Sequence, residues 1–131
     1  MKATARRADE TFEHRVSVRG HRLTCDELTE AGGSDTGPSP RELLAASLAS
    51  CTAITMEMYA VRKGWDIGRV EVDVDYEPGQ RGSFTRFSID VRLPGNLSEE
   101  QRQKLMQIGA RCPIHRTLEG EVMFEESVSI R

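Results

Sequence analysis

An α+β fold is predicted by three observations on the sequence. Two pairs of segments show apolar residues alternating with polar ones at period two, a long helix-length segment between them carries both a start and a stop signal, and a shorter helical segment near the C-terminus is broken at Cys112-Pro113. The predicted order is β-β-α-β-β-α-β, in one domain over residues 1–131.

Phe12, His14, Val16 and Val18 alternate with polar neighbours, and Leu23 and Cys25 resume the alternation after Arg19-Gly20, which predicts an N-terminal hairpin. The run from Thr29 to Pro40 concentrates Gly, Pro, Ser and Asp and is expected to be a loop. Ser39, Pro40 and Glu42 then form a helix start, with Ser39 as cap, Pro40 at the first helical position and Glu42 completing the capping box. This helix is expected to run from Arg41 to about Lys63, where Gly64 allows a left-handed stop. Leu43, Leu48, Ile54, Met58 and Val61 are interleaved there with Ala, Ser and Thr, so the helix has no clear solvent face over its first half. A chain of this length is not expected to cover it alone.

Val70, Val72, Val74 and Tyr76, then Phe87, Ile89, Val91 and Leu93, predict a second hairpin with one wet face. Ser98 and Gln101 offer a capping box for a helix to about Arg111. Proline disfavours helix at the residue before it, so Cys112 is placed at a kink or at the start of a new turn reaching Leu118. Val122, Phe124, Val128 and Ile130 predict a closing strand, with Glu126 out of pattern.

Composition excludes several classes of function. A net charge of −3, with fifteen Arg and three Lys spread along the chain, provides no basic stretch for neutralising phosphates, so no nucleic-acid partner is expected. The longest uncharged stretch, Leu43 to Met56, falls short of the roughly 20 apolar residues of a bilayer span, and no membrane association is expected. The opening MKATARRADE has no apolar signal region, which makes the cytoplasm, where thiols stay reduced, the expected compartment. Cys25, Cys51 and Cys112 are too few and too far apart for a disulfide scaffold.

The thiols are nevertheless where chemistry is expected. Cys51, within the uncharged stretch Leu43 to Met56, reads from its context first as a small packed hydrophobe, and Cys25 on a strand face reads the same way. Cys112 differs, because a helix break leaves free N–H groups near its sulfur and Arg111, His115 and Arg116 surround it in sequence. A Cys112-x-x-His115 metal pair would need two more ligands that the sequence does not place nearby, and no metal is expected.

SPRELLAASLASC at 39–51, the helix end RKGW and ARCPIHRTLEG at 110–120 resemble the OsmC/Ohr superfamily of osmotically induced and organic hydroperoxide resistance proteins, in its divergent OsmC-like branch. The resemblance covers nearly the whole chain. It implies an OsmC-like fold and an interlocked homodimer in which each subunit contributes a curved sheet and a long central helix. It further implies a thiol-dependent peroxidase acting on organic hydroperoxides, with Cys51 matching the peroxidatic cysteine and Cys112 the resolving one. An external dithiol, lipoyl-linked in some relatives, would be the reductant, with no bound cofactor. Family peroxidases activate the thiol with an acid directly after the proline of the first motif and an arginine from the N-terminal hairpin. Here Arg41 follows Pro40 and Glu42 comes one residue later, while Arg6 and Arg7 are the hairpin candidates and His115 is a further source of positive charge. Ten residues of helix separate Arg41 from Cys51, roughly 15 Å, so Arg41 is expected to approach the thiol of the other subunit and not its own. The alternative from another class is a non-catalytic dimer that binds a small apolar ligand in the interface pocket.

Overall fold

In a computed structural model of the chain, residues 1–130 are described, and they fall into two compact groupings interleaved along the sequence. The first comprises residues 1–46 and 75–87. Its sheet has strands β1 (Thr4–Arg7), β2 (His14–Val18) and β3 (His21–Cys25), antiparallel in that order, with Arg7 opposite His14 and His14 opposite Cys25. Arg19 and Gly20 both have positive φ, 52° and 95°, the backbone of a two-residue turn whose twist suits a hairpin. β1 is an addition to the expected order. Thr-Ala-Arg-Arg has no apolar alternation, and only the ladder to β2 makes it a strand.

After β3 the chain is organised by Asp26, which is 1% exposed. Its carboxylate accepts from the amides of Glu27, Ser34 and Thr36 at 2.7, 3.2 and 3.1 Å and from the Thr36 hydroxyl at 2.9 Å. Burial alone would raise its pKa, but these donors outweigh burial and hold it below the usual carboxylate range. The loop includes a short 3-10 turn, Thr29–Ala31, and leads into helix α1 (Pro40–Lys63). The predicted capping box is present: Ser39 N donates to Glu42 Oε1 at 2.9 Å and Glu42 N to Ser39 Oγ at 3.2 Å.

The second grouping comprises residues 47–74 and the chain from 88 onward. Leu48, Thr52, Met56 and Ala60, one per turn, are the buried face of α1. Met56 and Ala60 join Ile67, Leu97 and Leu105 in a core flanked by Tyr59, Trp65 and Val91. Strands β4 (Glu71–Glu77) and β5 (Arg86–Arg92) form the second hairpin, alternating half-buried and exposed residues as expected. On its wet face Arg92 bridges Glu71, Asp73 and Asp90 at 2.9, 2.7 and 3.2 Å. Helix α2 (Glu99–Gly109) starts at the predicted Ser98–Gln101 capping box. It ends against α1: a Cβ on Gly109 would lie 2.5 Å from Met56 Cε and 3.2 Å from Thr52 Cγ2. Helix α3 (Pro113–Glu119) follows at once, with Cys112 as its N-cap.

Two features differ from the expectations or qualify them. No closing strand is formed, and residues 121–130 have no regular structure, with Phe124, Val128 and Ile130 80% or more exposed (81, 99 and 100%). A strand exists through the pairing of its amides and carbonyls, and among the described residues this segment is paired with no strand. The outer face of α1 is uncovered as well, with Ile54, Met58 and Val61 exposed at 53, 59 and 79%. By length and composition α1 also satisfies the requirements of a membrane span, while Leu48, Thr52, Met56 and Ala60 on its inner face are buried in protein.

Gly109→Val should drive a branched side chain into Thr52 and Met56 and lower stability by about 1–3 kcal/mol, measured by urea unfolding. Asp26→Asn should lower the melting temperature near neutral pH. Because the folded pKa of Asp26 is depressed, its contribution is present above the ordinary carboxylate pKa and is lost as pH falls through the folded value. The gap between wild type and variant in thermal melts should therefore narrow on acidification, and a constant gap would assign the effect to shape alone.

Candidate functional site

The turn from α2 into α3 brings Cys112 against α1. Pro113 at the first position of α3 keeps Cys112 extended (φ −61°, ψ 148°) as the helix cap, and its sulfur accepts from His115 N at 3.3 Å. Cys112 is fully buried, and Thr52 Oγ1, which donates to Leu48 O at 2.9 Å, lies 3.9 Å from its sulfur. Cys51, the next residue on α1, is partly exposed, and its thiol interacts with the Cys112 thiol, the Ile114 amide and the Thr55 hydroxyl. Both cysteines are free thiols. The two residues singled out for redox chemistry are thus brought together, 61 positions apart in sequence.

Opposing effects set the acidity of Cys51. Burial is the largest and raises its pKa, the Ile114 amide and the Thr55 hydroxyl lower it, and the Cys112 thiol raises it, with a net upward shift. Cys25 is also shifted up, by burial first and then by the charges of Glu27 and Asp26, as expected of a packing cysteine.

Cys51 opens onto a cavity of about 510 Å3 that is mostly apolar, walled by Ile54, Thr55, Met58 and Pro113, with Arg62 also on its lining. The guanidinium of Arg62 packs 6.0 Å from the Tyr59 ring centre and pairs with no carboxylate among the described residues. The sequence reading missed Arg62, Thr55 and the Ile114 amide. Thr55, Met58 and Arg62 follow Cys51 at i+4, i+7 and i+11, the spacing of one helix face, so the stripe itself is a readable signal. The Ile114 amide carries no sequence signal beyond the proline that starts α3.

The remaining candidates have other partners. His115 Nδ1 lies 2.7 Å from Glu119 Oε1, but out of line for a hydrogen bond. Glu42 is engaged by Ser39, whose backbone amide and then hydroxyl lower its pKa. Arg41 is exposed in the first turn of α1, and Arg6 is exposed on β1. Arg7 is a loop clamp, donating from Nε to Thr11 O at 2.7 Å and from Nη2 to Glu10 O. Arg6, Arg7, Arg41 and Glu42 all belong to the first grouping and the two thiols to the second. Among the described residues no three His, Cys, Asp or Glu side chains come together as a metal ligand set.

Comparison with known proteins places this arrangement. A Haloferax volcanii protein of uncharacterised function is 27% identical over 96 residues, 72% of this chain and 73% of its own. The crystal structure of an OsmC-like protein from Mycoplasma pneumoniae superposes with a TM-score of 0.76 at 21% identity, covering 91% of this chain and 86% of the other. OhrB of Bacillus subtilis, an organic hydroperoxide resistance protein, has a TM-score of 0.62 at 22% identity, covering 91% and 90%. These likenesses establish a shared α+β fold. The family model of OsmC-like proteins matches residues 32–127, a span holding both thiols, and the chain therefore belongs to the OsmC-like protein family.

Proposed function

We propose that this protein is a thiol-dependent peroxidase that reduces organic hydroperoxides to alcohols. The observation that carries the reading is the pairing of a partly exposed thiol, Cys51, with a buried one, Cys112, beside an apolar cavity. Family membership and the presence of hydroperoxide resistance proteins among the structural relatives support it.

In the proposed cycle the Cys51 thiolate attacks the terminal oxygen of ROOH, the O–O bond breaks, and the alkoxide leaves and takes a proton to become ROH. Cys51 is left as sulfenic acid. The Cys112 sulfur then attacks the Cys51 sulfur, expelling the hydroxyl as water and closing a disulfide, which an external dithiol such as a lipoyl-linked one reduces by exchange while being oxidised itself. The Ile114 amide and the Thr55 hydroxyl favour the thiolate, and a guanidinium from the partner subunit's Arg41 is the proposed further activator. Neither metal nor bound cofactor enters this scheme. The apolar walls suit an alkyl peroxide over hydrogen peroxide. We further propose a cytoplasmic homodimer that covers the Ile54, Met58 and Val61 stripe.

The upward shift of Cys51 favours a second reading, a non-catalytic dimer that holds an apolar ligand in this cavity. Stopped-flow oxidation of the reduced protein by cumene hydroperoxide separates the two. A peroxidase should react orders of magnitude faster than a free thiol, whereas a rate equal to that of a free thiol would leave only the binding role. Cys51→Ser should abolish turnover. Cys112→Ser should permit a single oxidation and leave Cys51 open to sulfinic acid, and Cys25→Ser should leave turnover unchanged.

Alkylation of resting Cys51 should accelerate with pH without levelling off in the range of an ordinary thiol, because burial keeps the proton on. A group with a raised folded pKa loses its stabilising contribution as pH rises through that value, so stability should fall at alkaline pH in wild type and less in Cys51→Ala. Sedimentation should give about twice 14.7 kDa, and a fully active monomer would exclude activation by the partner subunit.

A further inference from the structure

We propose that a second cavity, beside Tyr59, Trp65 and Lys104, binds a small organic phosphate bearing a planar ring. The proposal is independent of the peroxidase reading, since neither cysteine takes part. The cavity measures about 700 Å3, within the range of small-molecule sites. Gly64, at φ 70°, ends α1 and brings Trp65 edge-on to Tyr59, with ring centres 5.6 Å apart and planes at 72°. Lys63 at the end of α1 and Lys104 on α2 place their Nζ atoms 5.7 and 5.9 Å from the centre of the same Tyr59 ring.

Arg62 makes a third cation over that ring, and none of the three has an ion pair or hydrogen bond among the described residues. Helical neighbours explain part of this, because Arg62 and Lys63 follow Tyr59 by three and four residues. Lys104 is different. It comes from another element and stands four residues after Glu100, the spacing of a helical ion pair, yet it leans over the aromatic ring. Glu99 is already held by Arg102 at 2.8 Å and by Gln103 at 3.2 Å.

The concentration of lysine is also unusual for this chain. It has fifteen Arg and three Lys in a net charge of −3, and two of those three lysines converge here. The ring's negative face attracts each ammonium but leaves their mutual repulsion in place, and an anion shared between Lys63 and Lys104 would relieve it. A phosphate, with two charges and several acceptor oxygens, can serve two compact ammonium groups reaching it from different helices, where a carboxylate has one charge to share. Trp65 and the Gln107 amide on the same wall supply a flat apolar surface and a donor-acceptor pair for the ring.

Trp65 is the only tryptophan, so its fluorescence reports on this cavity directly. The probes are AMP, adenosine and inorganic phosphate, added to wild type and to the Lys63→Gln/Lys104→Gln double variant, with unchanged Cys51 alkylation as the check that the variant is folded. AMP should quench Trp65 saturably in wild type and bind at least about tenfold tighter than adenosine, about 1.4 kcal/mol, with phosphate competing. The double variant should lose at least about tenfold in AMP affinity and little in that of adenosine. Absence of saturable quenching, equal affinity for AMP and adenosine, equal affinity of the two proteins for AMP, or phosphate binding as tightly as AMP would each overturn the proposal.

Discussion

The candidate site depends on a missing side chain. At Gly109 the last turn of α2 packs so closely on α1 that a Cβ would lie 2.5 Å from the Met56 terminal methyl and 3.2 Å from Thr52 Cγ2. That approach sets where the chain stands when it reaches Cys112, and the proline that follows turns it into α3. The sulfur of Cys112 therefore arrives beside Thr52, next in sequence to Cys51, and the first amides of α3 arrive with it. Backbone packing thus selects which two of three thiols meet.

Burial and polarity then compete at Cys51. Enclosure by apolar walls keeps the thiol protonated, while one amide and one hydroxyl pull in the other direction without prevailing. Arg62 lies at the wall of the same cavity, its guanidinium packed against the Tyr59 ring and paired with no carboxylate among the described residues, and its stem follows the helix face that carries the sulfur.

The chain also carries more apolar surface than it uses. One face of α1 is spent on the core with Ile67, Leu97 and Leu105, while Ile54, Met58 and Val61 remain open on another, and the apolar C-terminal segment is paired with no strand among the described residues. Singly exposed apolar residues on a small domain are ordinary, but contiguous stripes are not.

Local chemistry was legible in the sequence wherever one short segment contained its own reasons. The capping boxes at Ser39 and Ser98, the stop at Gly64, the turn at Arg19-Gly20 and the break at Cys112-Pro113 each rest on residues within four positions of one another, and each is present. Elements that depend on a neighbour were not. β1 lacks any alternation and exists through its ladder to β2, and the alternation of Val122 and Phe124 forms no strand because a pattern without a paired neighbour is not enough. The same division runs through the site. Sequence context by itself singled out Cys112 at its helix break, and only the family resemblance added Cys51, which otherwise read as a packed hydrophobe. Tertiary structure alone decided that the Ile114 amide faces Cys51 and that Arg62 shares its cavity, because those relations are set by how a helix end packs and which donor lies within reach, and no residue type encodes either by itself.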